Sequence, residues 1–411
     1  MQLYLDGNRI RPSMAFTLYF TVMFCFYTNT YIQLLAQILI LAYVFIPFFR
    51  WGMKLSVGRF KNIGFYLVWY GALVALLFAS TKWAYSTYDG SKTLITQIRI
   101  FIIGLGIFYY INTKEKVYSI LQSFIISCAI MGALAFITSI IFGYGIFNSY
   151  FGTPIGQHRN QIGAVAAPLT FICYYLYKNH RFNYGKGLAV YFFILTFVTG
   201  SMSSIVQLGI IFALCMLTTS DNISKAARNI ILLFLGIVAA FVVIRFVPFL
   251  NEKIFSRMYG IFNTLFGNSI DDMSALGRDF YKEIAFTMFL ERPVLGWGVD
   301  GFVCFLRDNP FIMGVTRLGA VYSHCNYAEL ATDLGVVGLV VWYVPIIRML
   351  VKAFKQRKAT AWNGVVFSVY LSMILFDYSR IPWETHLIMY MFFIIIFMIR
   401  YSSDQRSVGE R

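Results

Sequence analysis

The sequence is dominated by uninterrupted apolar runs that are about as long as a lipid bilayer is thick, such as those at 117–142 and 385–400. A bilayer core of about 30 Å requires about 20 apolar residues in each spanning helix. Because that core holds no water, every backbone N–H and C=O group must be paired, as in a helix or a closed barrel. The runs are continuous and do not alternate with polar residues, which excludes barrel strands. We therefore predict an all-α, polytopic membrane helix bundle.

The composition supports this class, because only 13% of the residues are charged, whereas soluble domains contain about 25% charged residues. Arg9 and Arg11 precede the first apolar run, which leads into a second, so no cleavable signal peptide is expected. The first run is short, and the second is a candidate re-entrant segment, so we predict about twelve membrane helices, with eleven as the alternative. They lie near 14–27, 31–49, 63–80, 93–111, 117–142, 162–178, 187–200, 203–218, 229–248, 325–350, 361–377 and 385–400.

The distribution of Lys and Arg among the short loops predicts the orientation, because cytoplasmic loops are enriched in these residues. Basic clusters occur at 50–61, 178–186 and 352–358, all on the predicted side of the N-terminus. The short loops on the other side contain only Lys82, Lys92, Arg159 and Arg380. Both termini are therefore predicted to be cytoplasmic. This topology and attraction to anionic membrane lipids explain the net charge of +16, which does not indicate a nucleic-acid partner.

The segment 249–323 breaks the pattern, because it is about 75 residues long and lies on the outer side. Unstructured connections of that length are uncommon and usually functional. Apolar residues recur at helical spacing over 274–290, a stripe that could rest on the membrane surface or on the bundle, and Pro293 ends this helix. We predict nine membrane helices in 1–248, a structured extracytoplasmic loop in 249–323, and three helices with a cytoplasmic tail in 324–411.

Three short motifs lie in or next to this loop. They are 276–278 (LGR) on the amphipathic helix, the turn 292–298 (RPVLGWG), and 324–338 (HCNYAELATDLGVVG) at the start of the next membrane helix. In this order and at this position they resemble the O-antigen ligase and polymerase family. Its members combine a glycine-arginine helix, a Pro-x-Leu-Gly-x-Gly turn and a histidine motif that leads into a glycine-rich helix. The resemblance covers roughly 270–340, and the predicted topology agrees with it over the whole chain.

The resemblance implies a membrane glycosyltransferase that acts at the outer face of the bacterial inner membrane. Members of the family transfer a glycan from an undecaprenyl-diphosphate-linked donor to a hydroxyl group of a glycan or lipid A-core acceptor. The resemblance further implies that neither a metal nor another cofactor takes part. It also implies a chain-length regulator protein as a partner.

His324 and Arg278 are the two catalytic candidates. A sugar that leaves a lipid diphosphate needs its developing phosphate charge stabilised, and arginine matches phosphate geometry with several donors. The acceptor hydroxyl needs a base with a pKa near the working pH, which histidine supplies. We therefore predict His324 as the general base and Arg278 as the diphosphate ligand. The alternatives are a histidine that satisfies a helix end and an arginine in a surface ion pair with Asp279 or Glu283.

The segment 199–204 departs from the family pattern. Ligases and many polymerases of the family carry an arginine in a Thr-x-Ser-Arg motif there, whereas this chain reads TGSMSS and has Met202 at that position. A thioether cannot replace a guanidinium, so a second phosphate-binding cation has to come from elsewhere. The candidates are Arg159, before the sixth predicted helix, and Arg99, within the fourth, since an intramembrane charge is a functional hypothesis by default. Their alternatives are a solvated loop arginine and a side chain that snorkels to the interface.

Further substrate-binding candidates are neighbours of the motifs. Tyr322, Tyr327 and Trp297 could stack on sugar rings, although aromatic residues at this depth are commonly interface anchors. Asn326 could replace the asparagine that the family often has directly after the histidine, where this chain has Cys325. A last cluster is formed by Asp377, Arg380, Glu384 and His386. It could line an acceptor groove, but a local set of salt bridges is the expected arrangement.

Three functions remain open. A polymerase joins lipid-linked repeat units, whereas a ligase passes finished polymer to a lipid A-core acceptor. A flippase or transporter would also have about twelve helices, but transporters usually place their polar site at the bilayer midplane in broken helices. We favour the polymerase because Met202 departs from the ligase arginine, and because 292–298 and 326–330 look closer to polymerases.

Overall fold

The computed structural model describes residues 3–5, 8–51, 57–86, 90–146, 148–179, 182–218, 273–309, 322–383 and 385–401, with the single residues Ser224, Arg228, Ile231, Phe246 and Ile312. A short antiparallel hairpin, β1 (Leu3–Leu5) and β2 (Asn8–Ile10), precedes the first helix. The α-helices of these ranges are α1 (Met14–Cys25), α2 (Thr30–Trp51), α3 (Val57–Tyr66), α4 (Ala72–Ser80), α5 (Gly90–Tyr110), α6 (Lys114–Ile141), α7 (Arg159–Lys178), α8 (Gly185–Val198), α9 (Met202–Thr218), α10 (Met273–Glu291), α11 (Gly301–Asp308), α12 (Asn326–Gln356), α13 (Ala361–Leu375) and α14 (His386–Tyr401). A π-helical turn, Leu67–Gly71, joins α3 to α4.

The helices predicted from the apolar runs are observed wherever the structure describes those residues. The helix predicted at 229–248 lies outside the described residues, apart from two single positions. Four described helices are long and apolar enough to cross a membrane, namely Gly58–Ser80, Lys92–Tyr110, Lys114–Ile141 and Asn326–Gln356, and five shorter helices are also apolar. The all-α membrane-type fold is therefore confirmed, while the number of spans stays a prediction.

Helix α14 forms the centre of the bundle. Its sequence is apolar on all sides, and every residue of 386–399 is buried. A helix without a polar face belongs inside a bundle, where all its sides meet other apolar side chains. The hydroxyl groups of Tyr390 and Tyr19 are hydrogen-bonded at 2.6 Å, and the ring of Phe393 packs edge-on against Phe108. The other helices surround this core and set the position of its N-terminal end.

The amphipathic helix predicted at 274–290 is observed as α10. Tyr281 of its apolar stripe is buried, and its ring contacts that of Phe302 in α11 at a centroid distance of 6.2 Å. Thr332 of α12 donates a hydrogen bond from Oγ1 to the C=O of Ala285 (2.8 Å). The stripe therefore packs on α11 and the bundle, which is one of the two surfaces that the sequence pattern allows.

Helix α12 is broken near its start, and the turn at 292–298 fills the break. Gly335 has φ 63° and ψ −161°, so the helical hydrogen bonds that would cross it are lost. The bonds that replace them run from Trp297 N–H to Thr332 C=O (2.8 Å), Gly298 N–H to Asp333 C=O (2.8 Å), Val336 N–H to Pro293 C=O (2.8 Å) and Val337 N–H to Val294 C=O (3.3 Å). The turn thus satisfies the four backbone groups that the break exposes, which a helix at a membrane boundary requires.

Glycines allow the turn and the break to approach this closely. Gly296 and Gly335 both have φ 63°, a left-handed conformation that costs residues with a Cβ about 1–2 kcal/mol. A Cβ on Gly335 would overlap the carbonyl oxygen of Val294, and one on Gly296 would lie 2.5 Å from the carbonyl oxygen of Thr332. Gly296 of the second motif and Gly335 of the third are therefore required by this backbone contact.

We expect Gly335→Ala to destabilise the protein by about 2 kcal/mol or more, because the added methyl group is strained and overlaps backbone. The thermal unfolding midpoint of the detergent-solubilised protein, followed by Trp fluorescence, measures the effect. Gly209→Ala in α9 is the matched control, since nothing lies within 4 Å of its Cβ position. Its midpoint should stay unchanged or rise, and equal midpoints for the two variants would contradict the proposed role of the glycine contact.

Candidate active site

A cavity of about 220 Å³ opens at the end of the bundle where α7, α9 and α12 begin. Its lining comes from parts of the sequence that lie far apart. The charged and polar lining residues include His158, Ser203, Arg278, Tyr322, His324 and Arg380. The fold thus brings three of the predicted site residues, His324, Arg278 and Tyr322, to one place.

A local set of hydrogen bonds fixes the backbone of His324 just before α12. The buried carboxylate of Glu329 accepts a hydrogen bond from the N–H of Ser323 (2.8 Å), and Oγ of Ser323 donates to the C=O of Cys325 (2.8 Å). His324 itself has φ 59°, which is uncommon for residues other than glycine. Such conformations persist only where the surroundings hold them, and they cluster at active sites. Glu329 is therefore a supporting residue that the sequence analysis did not select.

The imidazole of His324 offers the cavity an unused nitrogen. Its Nε2 is buried and has no hydrogen-bond partner among the described residues, while its ring packs against that of Tyr322 at a centroid distance of 4.2 Å. Burial, and then the positive charges of Arg278 and Lys282, lower the pKa of His324 to about 3. The ring is therefore neutral at physiological pH and is able to accept a proton.

Arg278, near the start of α10, also has an unused nitrogen. Its Nε is buried and lacks a hydrogen-bond partner in the described part of the chain. The alternative ion pair with Asp279 is replaced by one between Asp279 and Lys282 (3.1 Å). The Lys282 ammonium also lies 3.9 Å from the centre of the Tyr378 ring. Arg278 therefore lines the cavity without a salt bridge to Asp279.

His158 is a second histidine of the cavity, and the sequence analysis did not select it. It caps α7, because its Nδ1 accepts from the N–H of Asn160 (3.2 Å) while its own N–H donates to Oε1 of Gln161 (3.3 Å). With Nδ1 as the acceptor, the neutral ring carries its proton on Nε2. Burial, and then Arg159 and Arg278, lower the pKa of His158. Its place before a predicted helix was the available signal, but histidine is not a typical capping residue.

Arg380 is the second arginine of the cavity and comes from the connection between α13 and α14. Its guanidinium donates to Oε1 of Gln207 (2.6 Å) and to the hydroxyl oxygens of Ser203 (3.2 Å) and Ser204 (3.1 Å). All three acceptors belong to α9 and are uncharged. Burial lowers the pKa of Arg380 to about 9, so the group remains charged at neutral pH.

The salt bridges that were expected around the last outer turn are not formed among the described residues. Asp377 is buried, and it accepts hydrogen bonds from the hydroxyl of Tyr343 (2.8 Å) and from Nδ2 of Asn326 (3.1 Å). Arg380 has no ion pair in the described ranges, and Glu384 lies outside them. Within the described part of the predicted set, Asp377 and Arg380 attract each other electrostatically but form no salt bridge, because the carboxylate is hydrogen-bonded in a buried network. Asn326 is part of that network and does not line the cavity.

Neither cation that the sequence suggested as a substitute for the family arginine lines the cavity. Arg99 donates to the side-chain oxygens of Gln37 (3.1 Å) and Gln33 (3.4 Å) in α2. Arg159 is the first residue of α7, next to a cavity histidine, but it is not among the lining residues. Met202 is the first residue of α9 and directly precedes a serine that binds Arg380.

Two predicted aromatic contacts, Tyr327 and Trp297, are engaged elsewhere in the protein. Tyr327 stacks on Tyr343 at a centroid distance of 4.9 Å, and its hydroxyl donates to the C=O of Ile374 (2.7 Å). The ring of Trp297 lies 4.0 Å from the guanidinium of Arg292. Sugar stacking by these two residues stays a prediction.

The arrangement combines, at one cavity, a neutral histidine and two arginines that form no salt bridge with a carboxylate of the described residues. Arginines of this kind bind phosphate groups, and the histidine accepts a proton. Among the described residues, no group of three or more His, Cys, Asp and Glu side chains is arranged to hold a metal ion. The cavity is therefore suited to a reaction on a phosphorylated substrate that needs a base.

Comparison with known families agrees with this chemistry. A family model described as O-antigen ligase matches residues 187–343. The match includes α9, α10, α11 and the broken start of α12, and thus Met202, Arg278 and His324, but neither His158 nor Arg380. No curated protein matches the chain. Residues 187–343 are therefore similar to the O-antigen ligase family, and this similarity supports glycosyl transfer of the ligase or polymerase type.

We expect Arg278→Gln to raise the pKa of His324, because the imidazolium form is no longer repelled by the guanidinium. Burial is the larger cause of the low pKa and remains, so the pKa should stay below its ordinary value of about 6.5. An NMR titration with labelled histidine measures it, since the chain has only four histidines and His324→Asn identifies the resonance. Arg307→Gln serves as the control, and an unchanged pKa in Arg278→Gln would show that the two groups do not interact.

Proposed function

We propose that this protein polymerises undecaprenyl-diphosphate-linked oligosaccharide repeat units at the outer face of the bacterial inner membrane, with both termini in the cytoplasm. The observation that carries the proposal is the convergence of His324 and Arg278 at one cavity, each with a buried nitrogen that has no partner among the described residues. Other buried polar atoms of the described residues also lack a hydrogen-bond partner, but these two belong to side chains that line an open cavity, where a ligand can supply the partner. The similarity to the O-antigen ligase family supports glycosyl transfer as the reaction.

On the donor side, the bond between C1 of the sugar and the phosphate oxygen breaks. The electron pair of that bond leaves with the lipid diphosphate, whose negative charge grows in the transition state. Arg278 lies where such charge can be stabilised, and a preorganised guanidinium in a partly buried site does so more effectively than water.

On the acceptor side, a hydroxyl group of another lipid-linked glycan attacks C1. Its oxygen forms the new glycosidic bond, and its proton passes to Nε2 of His324, which then releases it to solvent. Nε2 can act as the base only if the imidazole ring is held in one orientation. The contact with the Tyr322 ring and the fixed backbone at Ser323 hold it in place.

The bound donor also changes the strength of the base. A pKa of about 3 makes His324 a weak base, partly because Arg278 repels a second positive charge. The diphosphate offsets the charge of Arg278 and favours the imidazolium form, so it raises the pKa of His324. Proton transfer then becomes effective when the donor is in place, and the histidine stays neutral before that.

The choice between polymerase and ligase is decided best in a deletion strain. Met202 and the sequences of the turn and histidine motifs favour the polymerase. The description of the matching family, O-antigen ligase, favours a ligase, which would use a lipid A-core acceptor. We expect deletion to leave single repeat units on the cell surface. Loss of all surface polymer, with long lipid-linked glycan accumulating, would show a ligase, and unchanged surface glycan would overturn both.

We expect His324→Ala to lower the rate of glycosyl transfer at least about hundredfold, because the acceptor hydroxyl loses its base. His324→Asn is the matched variant, since asparagine also adopts a left-handed backbone readily but is not a base. Both variants should still bind the lipid-linked donor. Transfer by the purified protein, assayed with lipid-linked repeat units in nanodiscs, measures the effect. Wild-type rates in either variant would contradict the role of His324.

A further inference from the structure

We propose that Arg380 is the second cation of the donor site and that Ser203, Ser204 and Gln207 of α9 form its seat. This assignment rests on the proposed function, because it gives Arg380 the diphosphate of the donor as its ligand. It concerns a residue outside the range that matches the family model.

A diphosphate carries more negative charge than a single arginine offsets. Arg278 of α10 supplies one guanidinium to the cavity, and Arg380 supplies another from the connection between α13 and α14. Because both side chains line the same cavity, a diphosphate bound there would be within reach of two guanidinium groups. Such an arrangement gives direction to the leaving group as well as charge stabilisation.

The seat holds the guanidinium without neutralising it. Gln207, Ser203 and Ser204 accept three hydrogen bonds at 2.6, 3.2 and 3.1 Å, and all three are uncharged. A buried arginine with a purely structural role is normally paired with a carboxylate, because an uncompensated buried charge is strongly unfavourable. The carboxylate of Asp377, in the same connection, attracts Arg380 electrostatically, but it is hydrogen-bonded to Asn326 and Tyr343 and forms no salt bridge with Arg380 among the described residues. Arg380 is therefore oriented and charged, as an anion-binding group must be.

Unused donors remain on Arg380. A guanidinium has five N–H groups, and the seat uses three of them, so two remain. Its Nε is buried and without a hydrogen-bond partner among the described residues, as is Nε of Arg278. Burial lowers the pKa of Arg380 to about 9, and a bound anion would reverse this change by favouring the charged form.

The same arrangement explains how the site tolerates Met202. Met202 directly precedes Ser203, so a charge expected at position 202 is supplied in space by Arg380. Arg159 and Arg99, the other candidates, do not line the cavity. An arginine at position 202 or at position 380 would thus bring a guanidinium to the start of α9.

The test measures the affinity of the full chain in nanodiscs for undecaprenyl diphosphate, with undecaprenyl monophosphate as the charge control. We expect Arg380→Gln to weaken diphosphate binding about tenfold to hundredfold, the range for a lost hydrogen bond to a charged group, and monophosphate binding less. Arg307→Gln is the control, because Arg307 is an exposed residue of α11 that pairs with Asp308. It should leave both affinities unchanged. If the Arg380→Gln variant does not fold, Arg380→Lys replaces it in the test. Lysine keeps the positive charge but lacks the paired N–H donors of the guanidinium, so this variant should also bind diphosphate more weakly.

A second variant moves the charge to the other position. Met202→Arg combined with Arg380→Gln should recover most of the lost affinity, which a purely structural role of Arg380 does not predict. A folded double variant that recovers nothing contradicts the assignment. Wild-type affinity in Arg380→Gln, with loss of binding in Arg278→Gln, overturns the assignment and leaves the proposed function intact. Failure of the unmodified protein to bind undecaprenyl diphosphate overturns the proposed function itself.

Discussion

The arrangement of the cavity depends on the backbone contact between the turn at 292–298 and the break in α12. At the break, the helix loses two hydrogen bonds, and the turn restores the pairing of all four backbone groups. The contact ties the end of α10, the helix that carries Arg278 near its start, to the first part of α12, which follows His324. Within that first part, Glu329 accepts a hydrogen bond from the N–H of Ser323 and so holds the backbone next to His324.

Charge in the cavity is distributed unevenly. Arg278 and Arg380 line it without a salt bridge to a carboxylate of the described residues, whereas the nearby carboxylates of Asp279 and Asp377 are committed to other groups. Two arginine charges at one cavity are electrostatically unfavourable when no anion is bound, and a bound anion offsets this unfavourable energy. The depressed pKa of His324 has the same origin, because burial and the neighbouring cations both oppose the imidazolium form. Donor binding and base strength are therefore coupled through one local field.

The helices and the pair of His324 and Arg278 could be predicted from the sequence, since apolar runs and short motifs are local signals. The break at Gly335 could not, because its hydrogen-bond partners lie in a turn on another segment, and the run reads as one continuous helix. Arg380 was assigned to a local salt bridge because a carboxylate stands close to it in sequence, yet its partners are on α9. The capping role of His158 was not predicted because histidine is not a usual N-cap residue. For Gly335 and Arg380 the deciding contact joins distant parts of the chain, which one sequence does not reveal.

The most direct test of a single donor site is an experimental structure of the full protein in nanodiscs with an undecaprenyl-diphosphate-linked glycan bound. The account predicts density for the diphosphate between Arg278 and Arg380, with Nε2 of His324 facing the sugar carbon that is to be attacked. Density for the diphosphate at another place, such as the Arg99 cluster between α2 and α5, with the cavity lined by His324 left unoccupied, would contradict it.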